Sequence, residues 1–320
     1  MNQPFRLMNG VITNTGFAAA AREFLLRTER GEQLEPFLIA FNIPIKRWRT
    51  SDMTGRHHGV VLWATYDGDA NSAATLGSIY IVRATSPAHQ SAVNNINAQL
   101  HVQCHPWRHI ITTGIAPTYA ANGQCRTPDI NIRPFGTSGA ANLGPRMVVE
   151  VDIYHRTYPK AKDWIEQYFT MLPSLRTAIA FKTFGSQGGD HYAFGAVVLV
   201  YRRQADDPVH NVPGAPMLVY GASIGTAPLS RQSRTSMSPA DEALFDANAF
   251  HEAIAEEIAL GHLEWAAATP RPVIRLHVED LFYVDVHNLL AGAPPHAQNL
   301  EIDIYQVILS ARSDMGVVFY

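Results

Sequence analysis

Residues 127–184 read TPDINIRPFGTSGAANLGPRMVVEVDIYHRTYPKAKDWIEQYFTMLPSLRTAIAFKTF, and this stretch decides how the rest of the chain is arranged. Asp129 opens a short segment in which Ile130 and Ile132 alternate with polar residues, the period of a strand. Glu150 interrupts an apolar run from Met147 to Val151 that otherwise reads as a buried strand. Two carboxylates thus sit on neighbouring strands, where burial is costly unless they meet a cation. Trp164, Ile165, Tyr168 and Phe169 then recur at helical spacing until Pro173 stops the run, and residues 177–184 form the next strand. The chain holds 25 Lys plus Arg, of which four are lysines: Lys46, Lys160, Lys162 and Lys182. Three of them fall within this stretch. An ammonium is a compact point charge that guanidinium does not replace, so the clustering points to ammonium chemistry here.

Pro128-Asp129, Glu150 within VVEV, a helix carrying Lys162, and LPSLR ahead of another strand resemble, in that order, the PD-(D/E)XK nuclease superfamily. Within it they are most similar to the Uma branch of restriction-endonuclease-like proteins. The resemblance covers residues 85–203. It implies an α/β fold of the α+β, mixed-sheet kind, with a core of helix, strand, strand, strand, helix, strand. Residues 1–84 would be an N-terminal extension packed on that core, 85–225 the nuclease-like core, and 226–320 a C-terminal subdomain of helix and strands. The activity implied is metal-dependent phosphodiester hydrolysis by a DNA endonuclease, with Asp129 and Glu150 holding Mg²⁺ or Mn²⁺. The metal would acidify a bound water and neutralise charge on the phosphate. Superfamily members carry E-x-K on the third strand, whereas Asp152 stands at the lysine's place here. The branch often moves the lysine to the following helix, which makes Lys162 its counterpart, with Lys160 and Lys182 as alternates. Asp152 shares a strand face with Glu150 and would add a metal ligand. A Glu on the first core helix, present in some members, has no counterpart between positions 86 and 103. The competing expectation is a catalytically silent nuclease-like fold that binds nucleic acid or another protein.

At 320 residues and 47% hydrophobic, the chain can bury a full core. Only 17% of residues are charged and the net charge is −3, so no global basic field marks a non-specific nucleic-acid binder, although a local basic groove stays open. Two cysteines give no disulfide framework, the N-terminus shows no signal pattern, and no apolar run approaches about 18 residues. These features point to a soluble intracellular protein, cytoplasmic or nuclear, with no membrane span. Lys46, Arg47, Trp48 and Arg49 form a basic-aromatic patch that would suit nucleic-acid contact, although basic side chains lying over a surface Trp are the commoner case.

Residues 13–31 read as an amphipathic helix, residues 60–66 and 76–82 as strands, and Ser86-Pro87 as the cap and first turn of a helix. His101, Cys104, His105 and His109 have a spacing that suits zinc, against which Pro106 ends the helix. Residues 221–225, GASIG, match the G-x-S-x-G pattern and make Ser223 the nucleophile of an alternative serine hydrolase, but Thr226-Ala227-Pro228 follows where a helix should. His251-Glu252 lacks the second histidine of a zinc protease, since Ala255 holds its place. No phosphate-binding Gly-rich loop with Lys-Ser or Lys-Thr exists. Residues 230–238 read as a polar basic linker and 239–265 as one acidic amphipathic helix. Residues 273–286 and 300–311 read as alternating strands, with His277, Glu279, Asp285 and His287 among them, whose edges would favour a homodimer.

Overall fold

The structure, a computed structural model, describes residues 7–29, 37–49, 56–57, 60–66, 72–83, 87–107, 111–114, 119–121, 124–126, 128–134, 144–153, 157–184, 195–204, 214–281 and 299–315. The chain divides into two units, Met1–Thr85 and Ser86–Tyr320. The first contains β1 (Met8–Asn9), α1 (Asn14–Glu29), β2 (Phe37–Pro44), α2 (Ile45–Arg49), β3 (Arg56–His57), β4 (Val60–Tyr66) and β5 (Leu76–Arg83), with the strands ordered β1-β2-β5-β4-β3. Phe17, Ala20, Ala21 and Phe24 of α1, three and four positions apart, join Ile39, Ile43, Ile79 and Ile81 in one core.

The second unit begins with α3 (Pro87–Cys104), β6 (Ile111–Gly114) and a small hairpin of β7 (Tyr119–Ala121) and β8 (Gln124–Arg126). There follow β9 (Ile130–Pro134), β10 (Met147–Ile153), α4 (Tyr158–Met171), β11 (Thr177–Phe184), β12 (Gly195–Arg203) and β13 (Pro216–Gly225). The sheet runs β13-β12-β11-β10-β9-β6, with β10 and β11 parallel and the other neighbours antiparallel. The mixed sheet and the order helix, strand, strand, strand, helix, strand are those expected, with the hairpin inserted as a separate sheet.

The crossover through α4 makes β10 and β11 parallel. Their period-2 pattern then sorts side chains to two faces. Met147, Val149 and Val151 lie in a core shared with α3, while Val148, Ala178 and Ala180 lie in one shared with Tyr158, Ile165, Tyr168 and Phe169 of α4.

The C-terminal part comprises α5 (Arg231–Thr235), α6 (Pro239–Ala247), α7 (His251–Ala259), β14 (Val273–His277), β15 (Asn299–Asp303) and α8 (Ile304–Met315). Ile274, Leu276, Leu300, Tyr305 and Ile308 belong to the same core as α3 and the main sheet. Four local readings change. The alternating strand expected over 273–286 ends at His277, and a 3-10 helix runs from Val278 to Leu281. The polar run after Ser230 forms the short helix α5, because the Ser230 hydroxyl accepts from the Ser233 amide. The single helix expected over 239–265 is two, broken where Asn248 donates its side-chain amide to Leu244 O and Gly221 O, and Ala249 bridges to Ser223 of β13. The alternation expected through 311 stops at Asp303, whose Oδ1 accepts from the Gln306 amide; Ile304, Val307, Ile308 and Ala311 are then buried at helical spacing. Asp285 and His287 lie outside the described residues, as does the side chain of Glu279.

Candidate active site

One end of the β9-β10-β11 sheet gathers the acidic residues read from the sequence. Asp129 immediately precedes β9 and accepts the Val151 amide on Oδ2 at 2.7 Å. That amide lies between Glu150 and Asp152, so one hydrogen bond locks the two acidic segments together. The other oxygen of Asp129 lies 3.2 Å from Nε2 of His89, in the first turn of α3.

Glu150 and Asp152 project from the same face of β10 as Val148, towards α4. Trp164 and Tyr168 are one helical turn apart and so share a face of α4. The Trp164 indole donates to Glu150 Oε1 at 2.9 Å and the Tyr168 hydroxyl to Oε2 at 3.1 Å. Asp152 and Lys182 are register partners on the parallel strands β10 and β11, and their side chains form an ion pair at 3.4 Å. Both are interior, with side-chain exposures of 5% and 2%. Burial lowers the pKa of His89, but its hydrogen bond to Asp129 and the charges of Asp129, Glu150 and Asp152 outweigh that effect and raise it overall. Three carboxylates, one ammonium and one imidazole therefore act on one another here.

Lys162 lies on α4 as expected, but its Nζ is 2.8 Å from Asp241 Oδ2 of α6, which also accepts from Tyr158 at 3.3 Å. Tyr158 and Lys162 are again one turn apart, so this pair ties α4 to α6. Lys160 is exposed on the first turn of α4. Lys46 and Arg47 are exposed on α2 in the other unit, where half-buried Trp48 packs against the core built on α1. The side chain of Arg49 lies outside the described residues.

Ser223 is not a nucleophile at an elbow. It sits within β13 at 1% exposure, its Oγ meets no hydrogen-bond partner among the described residues, and the next helix begins only at Arg231. An elbow needs the hydroxyl exposed on a tight strand-to-helix turn. At the candidate zinc positions, His101 Nδ1 lies 3.3 Å from Thr113 Oγ1, and Cys104 is buried, which pushes its thiol up to about 12. His109 lies outside the described residues. Among the described residues no group of three or more His, Cys, Asp or Glu side chains is arranged to hold a metal ion, and no helix is long and apolar enough to cross a membrane.

Sequence reasoning missed His89, the indole and phenol that hold Glu150, and the Asp241 partner of Lys162. His89 lies in the first turn of the helix that begins at Pro87, and no spacing in the sequence marks it. The residues that hold Glu150 were visible only as an apolar stripe.

No family model matches the chain, and no curated protein matches it. Among solved structures it is similar to "a putative nuclease belonging to DUF820" from Anabaena variabilis, at 14% identity over 52% of this chain and 86% of that one, with a TM-score of 0.29. So slight a likeness assigns neither fold nor function.

Proposed function

We propose that the chain is a metal-dependent phosphodiester hydrolase, an endonuclease of the restriction-endonuclease-like kind acting on DNA. The observation that carries this reading is the Asp129 to Val151 hydrogen bond, which sets the P-D carboxylate beside Glu150 and Asp152. Lys182 then supplies an ammonium from the neighbouring strand, beside the Asp152 that stands where the resemblance expects lysine. In this reading Lys182 takes the role first expected of Lys162, and Lys162 braces α4 against α6.

The donor chemistry fits a hard divalent cation. All the carboxylate ligands are oxygen donors, and Mg²⁺ commonly takes one or two carboxylates, with waters and substrate phosphates completing its shell. Asp129 and Glu150 would hold it through their carboxylate oxygens. Bound there, the ion would neutralise phosphate charge and acidify a water. Lys182 would place positive charge near a non-bridging oxygen, and Asp152 would hold that ammonium in position.

A second reading has its own support. Both oxygens of Asp129 and of Glu150 already meet protein groups, and Lys182 is interior, which suits a catalytically silent nuclease-like fold. Cleavage of plasmid and single-stranded DNA with Mg²⁺, with Mn²⁺ and with chelator separates the two. The nuclease reading expects metal-dependent nicking lost in Asp129→Asn and Lys182→Met and retained in Lys162→Met. Binding without cleavage by folded protein under either metal would establish the silent fold.

A further inference from the structure

We infer that His89 is a positioning residue, which fixes the Asp129 carboxylate so that one oxygen stays on the Val151 amide. The inference rests on the nuclease reading for its purpose but not for its geometry. Asp129 precedes β9 rather than lying within it, so strand pairing alone does not set its side-chain torsion. Two contacts do: Oδ2 on the Val151 amide at 2.7 Å, and Oδ1 facing His89 Nε2 at 3.2 Å. They come from two different elements, β10 and the first turn of α3, and meet different oxygens, so together they fix the carboxylate. His89 is itself buried and stands on a helix whose Ala88, Ala92, Val93 and Ile96 are packed in the core. The imidazole is therefore a rigid stop and not a mobile surface group. Residues that orient a ligating carboxylate typically change metal affinity about 10- to 100-fold when lost.

The test compares His89→Gln, whose amide nitrogen reaches about as far as Nε2, with His89→Asn, one methylene shorter, and with His89→Leu. Three quantities are read: exchange of the Val151 amide without metal, affinity for Mn²⁺ alone by electron paramagnetic resonance, and the urea midpoint. In His89→Asn and His89→Leu the Val151 amide should exchange about tenfold faster while Val149 is unchanged, and Mn²⁺ affinity should fall about tenfold or more. His89→Gln should restore both. If His89→Leu does not fold, the Gln and Asn pair decides. Unchanged Val151 exchange in His89→Asn overturns the inference, as does loss of protection across the whole of β10 that His89→Gln fails to rescue, since that is packing alone. If wild-type protein binds no Mn²⁺ while Val151 exchange responds as stated, the positioning role stands and the nuclease reading falls.

Discussion

Removing Lys182 tests how the charged end of the sheet is held. Its Nζ lies 3.4 Å from Asp152 Oδ2, both are interior, and Glu150 and Asp129 stand at the same end of the sheet. At an effective dielectric of about 20, two unit charges at that separation attract by roughly 5 kcal/mol, against a desolvation cost of several kcal/mol for each ion. The net value of the pair is therefore small, but breaking it is costly. Lys182→Met should cost about 3 to 5 kcal/mol and Asp152→Leu somewhat less, because losing the ammonium leaves three carboxylates and losing Asp152 relieves one. The double variant Asp152→Leu/Lys182→Met should lie within about 1 kcal/mol of wild type, giving a coupling energy of several kcal/mol. Urea unfolding followed by near-ultraviolet circular dichroism is the assay. Since the chain has two units, the shift should fall on the transition of residues 86–320 alone. Additive losses in the double variant, or a cost below about 1 kcal/mol for both single changes, would refute the reasoning.

Other perturbations follow from equally local geometry. Arg203 donates from Nε to Leu175 O, from Nη1 to Gly214 O and from Nη2 to Phe169 O, at 2.8 to 2.9 Å, closing the C-terminal end of α4. Arg203→Leu should lower stability by about 3 kcal/mol or more in urea, and Arg203→Lys should recover less than half, since an ammonium cannot fork across those carbonyls. Gln99 and Gln103, four apart on α3, each exchange a pair of hydrogen bonds with the backbone of Asp303 and Glu301, two apart on β15. The match works because four helical residues rise about 6 Å and two strand residues about 6.6 Å. Gln99→Ala and Gln103→Ala should each cost about 1 to 2 kcal/mol and speed amide exchange at residues 299–303 before the main sheet opens. The raised pKa of His89 sets a pH dependence: its contribution is full below the ordinary value of 6.5 and is lost as pH rises through the raised one. The wild-type urea midpoint should fall on going from pH 6 towards 9, more steeply than that of His89→Gln.

The sheet end was legible wherever the signal was periodic. Ile130 and Ile132 marked β9, the run from Met147 marked β10, and Asp152 followed Glu150 onto the same face because strand residues alternate. What escaped were contacts between distant positions. Nothing near Lys162 announces Asp241, and nothing near Glu150 announces that an indole and a phenol on α4 meet its two oxygens. His89 lies in a helical turn with no spacing rule attached, so only the fold sets it against Asp129. α8 was misread because the alternation of β15 runs into Ile304 and Tyr305, and a cap at Asp303 changes the period without changing the composition. The helix break at Asn248 is likewise made by a tertiary bridge, to β13.

The polar groups under α4 separate the two functional readings by their cost. Glu150, Asp152 and Lys182 occupy positions where Val148, Ala178 and Ala180 show that apolar residues fit the same face. Stability alone gives no reason to keep Asp152 and Lys182, because well-packed apolar residues in place of a buried ion pair are often neutral or stabilising. A silent fold would thus tolerate the Leu/Met double variant with its binding intact. A nuclease would keep its stability in that variant and lose turnover with it, because Lys182 would no longer place charge beside the phosphate. Fold retained with binding and cleavage both unchanged would leave the pair without a role in either reading, and would move the search for the site away from this end of the sheet.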